Sequence, residues 1–376
     1  MTRRAHVGAE IFDGDVLHDG KALLIDDGTV RGICSVSDLP EGYKVNEHDG
    51  GTLMPGFVDL QVNGGGGVMF NDETSLDGLS AIAEAHASTG TRALLPTLIT
   101  DKADRTRLAV DAVEQAIAAS VPGIIGLHLE GPHLSLERKG AHDPALIRKM
   151  ETEDEDFLIS AAARLPNLMV TVAPESVTID QIARMAHAGV IVSLGHTDCR
   201  MDTAVAAFDA GARCVTHLFN AMSQIGNREP GLVGATLSAG GVFAGLVADD
   251  IHVHAETMRV ALSAKKGPGE IFLVTDAMST VGSRIAEFEL NGRRVLRRDG
   301  RLTLEDGTLA GADLEMIRAL RVVVGRVGVS KAQALRMATG AAAKCLRNPL
   351  CAGHLLGGPV SNVVHLHSDM ARAEAL

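Results

Sequence analysis

The chain of 376 residues is long enough to bury a large core and to hold one big domain with a smaller appendage. Its 46% hydrophobic and 22% charged residues argue against long disorder, and its net charge of −12 argues against nucleic acid and anionic membranes as partners. Residues 1–6 do not lead into an apolar signal core, and no window resembles a membrane span. The five cysteines lack CxxC spacing, which predicts free thiols and a cytoplasmic location.

Residues 1–53 are rich in Gly and Asp, and their short apolar pieces end in turn residues, which predicts a small β region. Eight apolar, strand-like runs follow. The runs are 56–62, 93–100, 123–129, 168–173, 190–194, 214–219, 243–248 and 271–274. Most are separated by helical patterns, at 79–87, 105–119, 159–164, 179–188, 203–210 and 255–263, and the glycine-rich link 231–241 has room for a short helix only.

Strands that alternate with helices predict a parallel sheet with right-handed crossovers. Eight such units over this length favour a closed (β/α)8 TIM barrel over an open sheet. A doubly wound fold is the alternative, but no GxGxxG follows a strand.

After the eighth run the pattern changes. Three Asx-Gly pairs between short alternating stretches predict a β-hairpin insertion near 284–310. Helical patterns follow at 314–324 and 331–344, and the last thirty residues return to β-like sequence. We expect residues 1–53 and 346–376 to form one small β-sandwich domain, and residues 54–345 to form the barrel with its insertion.

Catalytic groups in a barrel collect at the carboxyl ends of the strands, and this chain places polar residues there. Glu130 ends the third run, His196 follows the fifth, His217 lies in the sixth and Asp276 follows the eighth. One carboxylate and two imidazoles suit a catalytic zinc or similar divalent ion with an open position for water. Asp276 is then free to act as a base.

Structural alternatives exist for each residue alone. Glu130 in a salt bridge would cap its strand, and a single strand-end histidine is more often a hydrogen-bonded structural residue than a ligand. His142 lies in a loop where a solvated histidine is equally expected, and Arg228 could pair with Glu229 at the surface. Several polar groups on one rim are harder to explain as structure, because each adds a desolvation cost.

At these residues the chain resembles the N-acetylglucosamine-6-phosphate deacetylases of the amidohydrolase superfamily. The matching stretches are 55–59 (PGFVD), 128–132 (HLEGP), 139–142 (KGAH), 195–197 (GHT), 216–222 (THLFNAM), 250–252 (DIH) and 275–277 (TDA). The resemblance covers most of the chain. It implies a metal-dependent barrel with a small β-sandwich, and deacetylation of N-acetyl-D-glucosamine 6-phosphate in amino-sugar catabolism or cell-wall recycling.

The resemblance also implies roles for single residues. Glu130, His196 and His217 hold one divalent ion per subunit, with zinc expected first and iron or another ion as alternatives. Asp276 and His142 are catalytic, Asp276 as the base and His142 on the substrate carbonyl. Arg228 and His252 hold the 6-phosphate, and Arg228 reaches the neighbouring subunit, so that a homodimer or homotetramer is expected. The remaining sugar-lining residues are Ala141, Asn220, Ala221, Leu309, Ala310 and Gly311.

One departure concerns metal count. Many amidohydrolases have His-x-His at the end of the first strand, whereas this chain has Gln61 and Asn63, which indicates the single-metal branch. Three other functions stay open: a different amidohydrolase acting on another N-acetylated or cyclic amide, a catalytically inactive barrel that binds sugar phosphates, and a metal-dependent aldolase or isomerase. The last needs a Schiff-base lysine or a second acid that the sequence does not place.

Overall fold

The computed structural model describes residues 2–376, and its centre is one parallel sheet of eight strands that follow one another in chain order. The strands are Phe57–Val62, Thr91–Ile99, Leu127–Glu130, Leu168–Val172, Ile191–Leu194, Cys214–Val215, Phe243–Val247 and Ile271–Val274, the first to eighth barrel strands. A parallel bridge between Val62 and Ala277 joins the first strand to the end of the eighth. The predicted barrel is therefore confirmed.

Helices cover the outside of the barrel. They are Leu76–Ala87, Ala103–Ala118, Thr152–Arg164, Ile179–His187, Met201–Asp209, Gly231–Ser238, Ala255–Ala264, Met316–Val322, Lys331–Met337 and Gly340–Cys345, with single turns at Val36–Asp38, Leu136–Arg138 and Val360–Asn362 and a wider turn at Val323–Val327. Their buried faces pack on the apolar strands in one continuous core. Among residues 2–376, no helix combines the length and apolar character that a membrane crossing requires.

Several predicted elements differ from the structure. The third strand begins at Leu127 rather than at 123, and the helix predicted over 159–164 begins at Thr152. The sixth strand ends at Val215 rather than at 219, because the backbone turns to positive φ at His217 and Phe219. The helix predicted over 331–344 is interrupted at Ala338 and Thr339. The Ala338 carbonyl leaves the helix to accept a 2.9 Å hydrogen bond from the amide of Val58 in the first barrel strand, a tertiary contact that local sequence does not encode.

The two ends of the chain meet in separate sheets beside the barrel. One contains Arg3–Val7, Lys21–Asp26, Thr29–Ser35 and Lys44–Glu47; the other contains Glu10–Phe12, Leu17–His18, Thr52–Pro55, Val363–Leu366 and Ala373–Ala375. Val363–Leu366 pairs antiparallel with Thr52–Pro55. Buried apolar residues from both sheets, such as Ile11, Leu23 and Val363, form one cluster. We therefore propose the domain division predicted from sequence, 1–53 with 346–376 against 54–345.

The insertion after the eighth strand is larger than a hairpin. It is a four-stranded antiparallel sheet of Glu287–Leu290, Arg293–Arg298, Arg301–Leu304 and Leu309–Ala312, here called the hairpin sheet. Asn291 and Gly292 turn between its first strands with φ of +50° and +72°, as a tight hairpin turn requires. The Ala312 amide donates to the Asp276 carbonyl at 2.9 Å, so the sheet is attached to the barrel rim.

Candidate active site

Alternation along the strands brings the predicted polar residues to the inside of the barrel rim. Asp59, Gln61 and Asn63 occupy alternate positions of the first strand and its end, so their side chains share one face. Immediately after the fifth, sixth and eighth strands, His196, His217 and Asp276 take positive φ values of 48°, 28° and 51°. Such backbone is uncommon outside glycine, and its concentration at one rim is typical of a functional site.

Three lone-pair donors converge on one point. Glu130 Oε1 lies 3.2 Å from His196 Nε2 and 3.0 Å from His217 Nε2, and the two Nε2 atoms are 3.1 Å apart. All three side chains are buried. Ligands about 2.0–2.2 Å from a tetrahedral zinc ion lie roughly 3.3 Å from one another, close to this spacing. Within residues 2–376, the salt-bridge partners of Glu130 are His196 and His217, and no lysine or arginine pairs with it.

The hydrogen bond on the other ring nitrogen of His196 supports metal binding. His196 Nδ1 lies 2.8 Å from the Arg138 carbonyl oxygen, which can only accept. Nδ1 therefore carries a proton, and Nε2 is the ring nitrogen that faces the cluster and would bind a metal ion in place of a proton, as metal-binding histidines do. Nδ1 of His217 is buried without a partner.

The charges of the cluster are mutually stabilising. Burial alone would raise the pKa of Glu130, but hydrogen bonds from His196 and His217 hold it well below its usual range. Burial opposes the charged form of His217, yet the bond to Glu130 raises its pKa. A proton and a divalent cation satisfy the same lone pairs, so these residues fit such an ion and would release a proton on binding it.

Asp276 stands beside this cluster on the first-strand side. Its Oδ1 accepts hydrogen bonds from Asn63 Nδ2 at 2.7 Å and Gln61 Nε2 at 3.1 Å. Burial, followed by the negative charge of Glu130, raises the pKa of Asp276 to about 6. A carboxyl group with such a pKa can exchange protons near neutrality.

His142 is buried, so the solvated-loop alternative is wrong. Its Nδ1 lies 2.8 Å from Thr100 Oγ1, and its ring packs edge-on against His196 with centroids 4.4 Å apart. Burial lowers the pKa of His142 to about 3, so the ring is neutral. His142 also offers a ligand atom within 4.8 Å of those of Glu130 and His196, whereas the ligand atoms of Glu130, His196 and His217 lie within 3.2 Å of one another.

Asp249 orients His252. Oδ2 of Asp249 lies 2.7 Å from His252 Nδ1, while Oδ1 accepts both the Ile251 and the His252 backbone amides at 2.8 Å. His252 lines the same cavity as the metal-binding candidates. With Nδ1 held by Asp249, Nε2 is the ring nitrogen left for a ligand.

The cavity at the rim has a volume of about 250 Å³. Its wall includes almost all of the predicted site residues and several from the hairpin sheet. The lining residues are Asn63, Ile99, Glu130, Gly140, Ala141, His142, His196, His217, Asn220, Ala221, His252, Asp276, Met278, Leu290, Thr308, Leu309 and Gly311.

Two predicted substrate residues lie off this wall. Ala310 is buried in the apolar cluster beneath the hairpin sheet. Arg228 is exposed and does not line the cavity. Its suggested partner Glu229 instead pairs with Arg200 at 3.0 Å, so the surface pair of Arg228 with Glu229 is wrong.

Sequence reasoning missed the residues that orient the site. Thr100 contacts His142, Asp249 contacts His252, and Thr171 lies 2.7 Å from His128 Nε2 beneath Glu130. Each follows or lies within a strand, but polar residues occur at such positions throughout the chain. Asp249 carried the best signal, since it follows the seventh strand as Asp276 follows the eighth.

Comparison with known proteins shows the family of the chain. Residues 52–355 match the model of the amidohydrolase family. Two curated relatives are N-acetylgalactosamine-6-phosphate deacetylase of a Shewanella species, 39% identical over 96% of this chain and 91% of the relative, and N-acetylglucosamine-6-phosphate deacetylase of Haemophilus influenzae, 36% identical over 86% and 84%. The crystal structure of N-acetylglucosamine-6-phosphate deacetylase from Pasteurella multocida superposes with a TM-score of 0.92 at 34% identity, covering 99% of this chain and 97% of that one. The chain belongs to the amidohydrolase family.

Proposed function

We propose that this protein hydrolyses the N-acetyl group of N-acetyl-D-glucosamine 6-phosphate to give D-glucosamine 6-phosphate and acetate. The observation that carries the proposal is the convergence of Glu130, His196 and His217 on one point of a cavity that Asp276 and His142 also face. Relatives with this activity are similar over most of the chain. An inactive sugar-phosphate-binding barrel would have no use for Asp276 beside a metal site.

Glu130, His196 and His217 would hold one divalent ion, for which zinc is our first expectation and iron or another divalent ion the alternative. When bound, such an ion polarises a carbonyl group and makes water more acidic. The fixed tautomer of His196 and the low pKa of Glu130 keep their lone pairs available for it.

Asp276 would move the proton. Its Oδ1 is occupied by two amide donors, so Oδ2 accepts the proton of the attacking water. The same oxygen then gives the proton to the departing amine, which leaves badly unless it is protonated. His142 would donate a hydrogen bond from Nε2 to the substrate carbonyl, with Thr100 satisfying Nδ1.

The substrate would lie between the loop at Ala141 and the hairpin sheet, with Asn220, Ala221 and the Leu309–Ala312 strand around the sugar. His252 would contact the 6-phosphate. We propose that Arg228 completes this phosphate site in a neighbouring subunit, since it projects from the surface of its own chain. The proposed assembly is a homodimer or homotetramer.

A second candidate substrate is N-acetyl-D-galactosamine 6-phosphate. It is favoured by the relative of that name, which is 39% identical over 96% of this chain. The two sugars differ in the orientation of one hydroxyl group, so the metal site and Asp276 would serve both.

The test is acetate release from both N-acetylhexosamine 6-phosphates, with plain N-acetylglucosamine as the control for the phosphate. We expect turnover of a phosphorylated sugar and little of the plain sugar. The ratio of kcat/KM for the two epimers assigns the substrate. Metal-loaded protein that releases acetate from none of them would reject the proposal and favour a different amide.

A further inference from the structure

A chain of buried hydrogen bonds crosses the inside of the barrel below the cavity. Thr171 Oγ1 lies 2.7 Å from both His128 Nε2 and Thr216 Oγ1. Thr216 Oγ1 also lies 2.7 Å from Ser193 Oγ. These four side chains, here called the hydroxyl chain, are all buried. We propose that the hydroxyl chain is a positioning layer: it holds the three metal-binding candidates at their spacing and thereby sets the affinity of the site for a divalent ion.

The direction of every bond in the hydroxyl chain follows from its first member. The Leu60 carbonyl oxygen lies 3.1 Å from His128 Nδ1 and can only accept, so Nδ1 carries a proton. The buried ring faces uncharged oxygens at both nitrogens, which favours its neutral form, so Nε2 accepts from the Thr171 hydroxyl. Because a hydroxyl group has one proton, Thr171 must accept from Thr216, and Thr216 from Ser193. All donors therefore point the same way, an arrangement in which each bond strengthens the next.

Two members of the hydroxyl chain are close in sequence to a metal-binding candidate. Thr216 directly precedes His217, where the backbone turns to a positive φ of 28°. His128 is two residues before Glu130, so the two side chains share one face of the third strand. Because the interior is close-packed, a shift of Thr216 or His128 would move the ligand beside it.

The third candidate ligand is supported through a glycine. Gly195 directly precedes His196, and a β-carbon at Gly195 would lie 2.9 Å from Thr171 Cγ2 and 2.9 Å from Thr216 Cβ. The two threonines therefore pack directly against the backbone from which His196 projects. The hydroxyl chain thus contacts or contains the segments that carry all three ligands, the kind of support that a precisely placed metal site needs.

The role of the hydroxyl chain depends on the proposed metal site but not on the proposed hydrolysis. The first variant is Thr171→Val, which removes the central hydroxyl at similar volume, whereas Thr171→Ser keeps that hydroxyl. The control is Thr236→Val, because Thr236 is buried and its hydroxyl donates at 2.7 Å to the Leu232 carbonyl within an outer helix.

Each protein is loaded with zinc and titrated with a colour-forming chelator, which gives the Kd for zinc, and Tm is measured on the same samples. We expect the Kd to rise roughly 10- to 100-fold in Thr171→Val and to stay within about threefold in Thr171→Ser, because polar partners behind metal ligands have effects of this size. The control should lower Tm and leave the Kd unchanged.

Ser193→Ala tests the chain from its other end, and it decides the matter if Thr171→Val does not fold. Ser193→Ala alone should also raise the Kd, and adding it to Thr171→Val should change the Kd by less than about threefold, since residues in one network are not additive. A Kd that Thr171→Val and Ser193→Ala leave unchanged, or that Thr236→Val raises equally, would overturn the positioning role. Multiplied effects in the double variant would overturn the chain as a unit. An original protein that binds no zinc would overturn the metal site and this role together, whereas one that binds zinc and releases no acetate would reject the hydrolysis alone.

Discussion

Asp276→Asn isolates proton transfer from every other property of the site. The asparagine carbonyl oxygen can take the place of Oδ1 and keep the bonds from Asn63 at 2.7 Å and Gln61 at 3.1 Å. Its NH2 group then stands where Oδ2 faces the cavity, and this group cannot accept a proton. Loss of a general base costs about 10²- to 10⁴-fold in kcat, or roughly 3–5 kcal/mol of barrier. KM should change little, because the shape of the cavity is preserved.

The assay is acetate release by the metal-loaded variant, with metal content and Tm measured on the same sample. We expect one ion per chain, since the closest donors are Glu130, His196 and His217. We expect Tm to be equal or higher, because burial disfavours the Asp276 carboxylate that the variant removes. Activity above about a tenth of the original with normal metal content would refute the base assignment.

The pH profile checks the same residue. Asp276 must be ionised to accept a proton, and its pKa of about 6 in the protein alone would be lowered further by a bound cation. The kcat/KM of the original protein should therefore fall as the pH drops below about 6, and the residual activity of Asp276→Asn should lack this limb. An acidic limb centred above pH 7 would assign it to another group.

Three further predictions concern the phosphate site and stability. Arg228→Ala should raise KM for the phosphorylated sugar roughly 10- to 100-fold, the loss expected of a charge-assisted hydrogen bond. An equal effect on plain N-acetylglucosamine would show that Arg228 does not belong to the phosphate site. Asp249→Ala removes the carboxylate that lies 2.7 Å from His252 Nδ1, so the His252 ring is no longer held. KM for the phosphorylated sugar should then rise about tenfold, and KM for the plain sugar should not change. A drop in kcat alone would contradict this role of Asp249. Burial lowers the pKa of His86 in the folded protein to about 4. As the pH falls, His86 is therefore protonated in the unfolded chain before it is protonated in the folded one. The free energy of unfolding should fall by up to about 3 kcal/mol from pH 6.5 to pH 4. His86→Gln should flatten that slope in acid denaturation curves, and an unchanged slope would show that other groups set it.

The barrel could be predicted because its strands are buried on both faces and therefore read as continuous apolar runs between turn residues. Strands 168–172 and 271–274 were placed almost to the residue. The sixth strand and the helix over 331–344 were less accurate, since positive φ at His217 and the bond from Val58 to Ala338 depend on distant parts of the chain.

The candidate ligands could be predicted for a related reason. Parallel strands bring their carboxyl ends to one rim, so Glu130, His196 and His217 were expected to meet, and they do. The sequence does not reveal which atoms of the neighbouring side chains these residues contact. That Gln61 bonds both carboxylates depends on strand register and side-chain rotamer, neither of which leaves a pattern in the sequence.

Zinc titration tests the central claim most directly. The protein is stripped with a chelator, zinc is returned in steps, and acetate release from N-acetyl-D-glucosamine 6-phosphate is followed at each step. Activity should be absent without metal, rise linearly and saturate at about one zinc per chain. Activity that is indifferent to the chelator, or that rises only with a second equivalent, would contradict a single catalytic ion held by Glu130, His196 and His217.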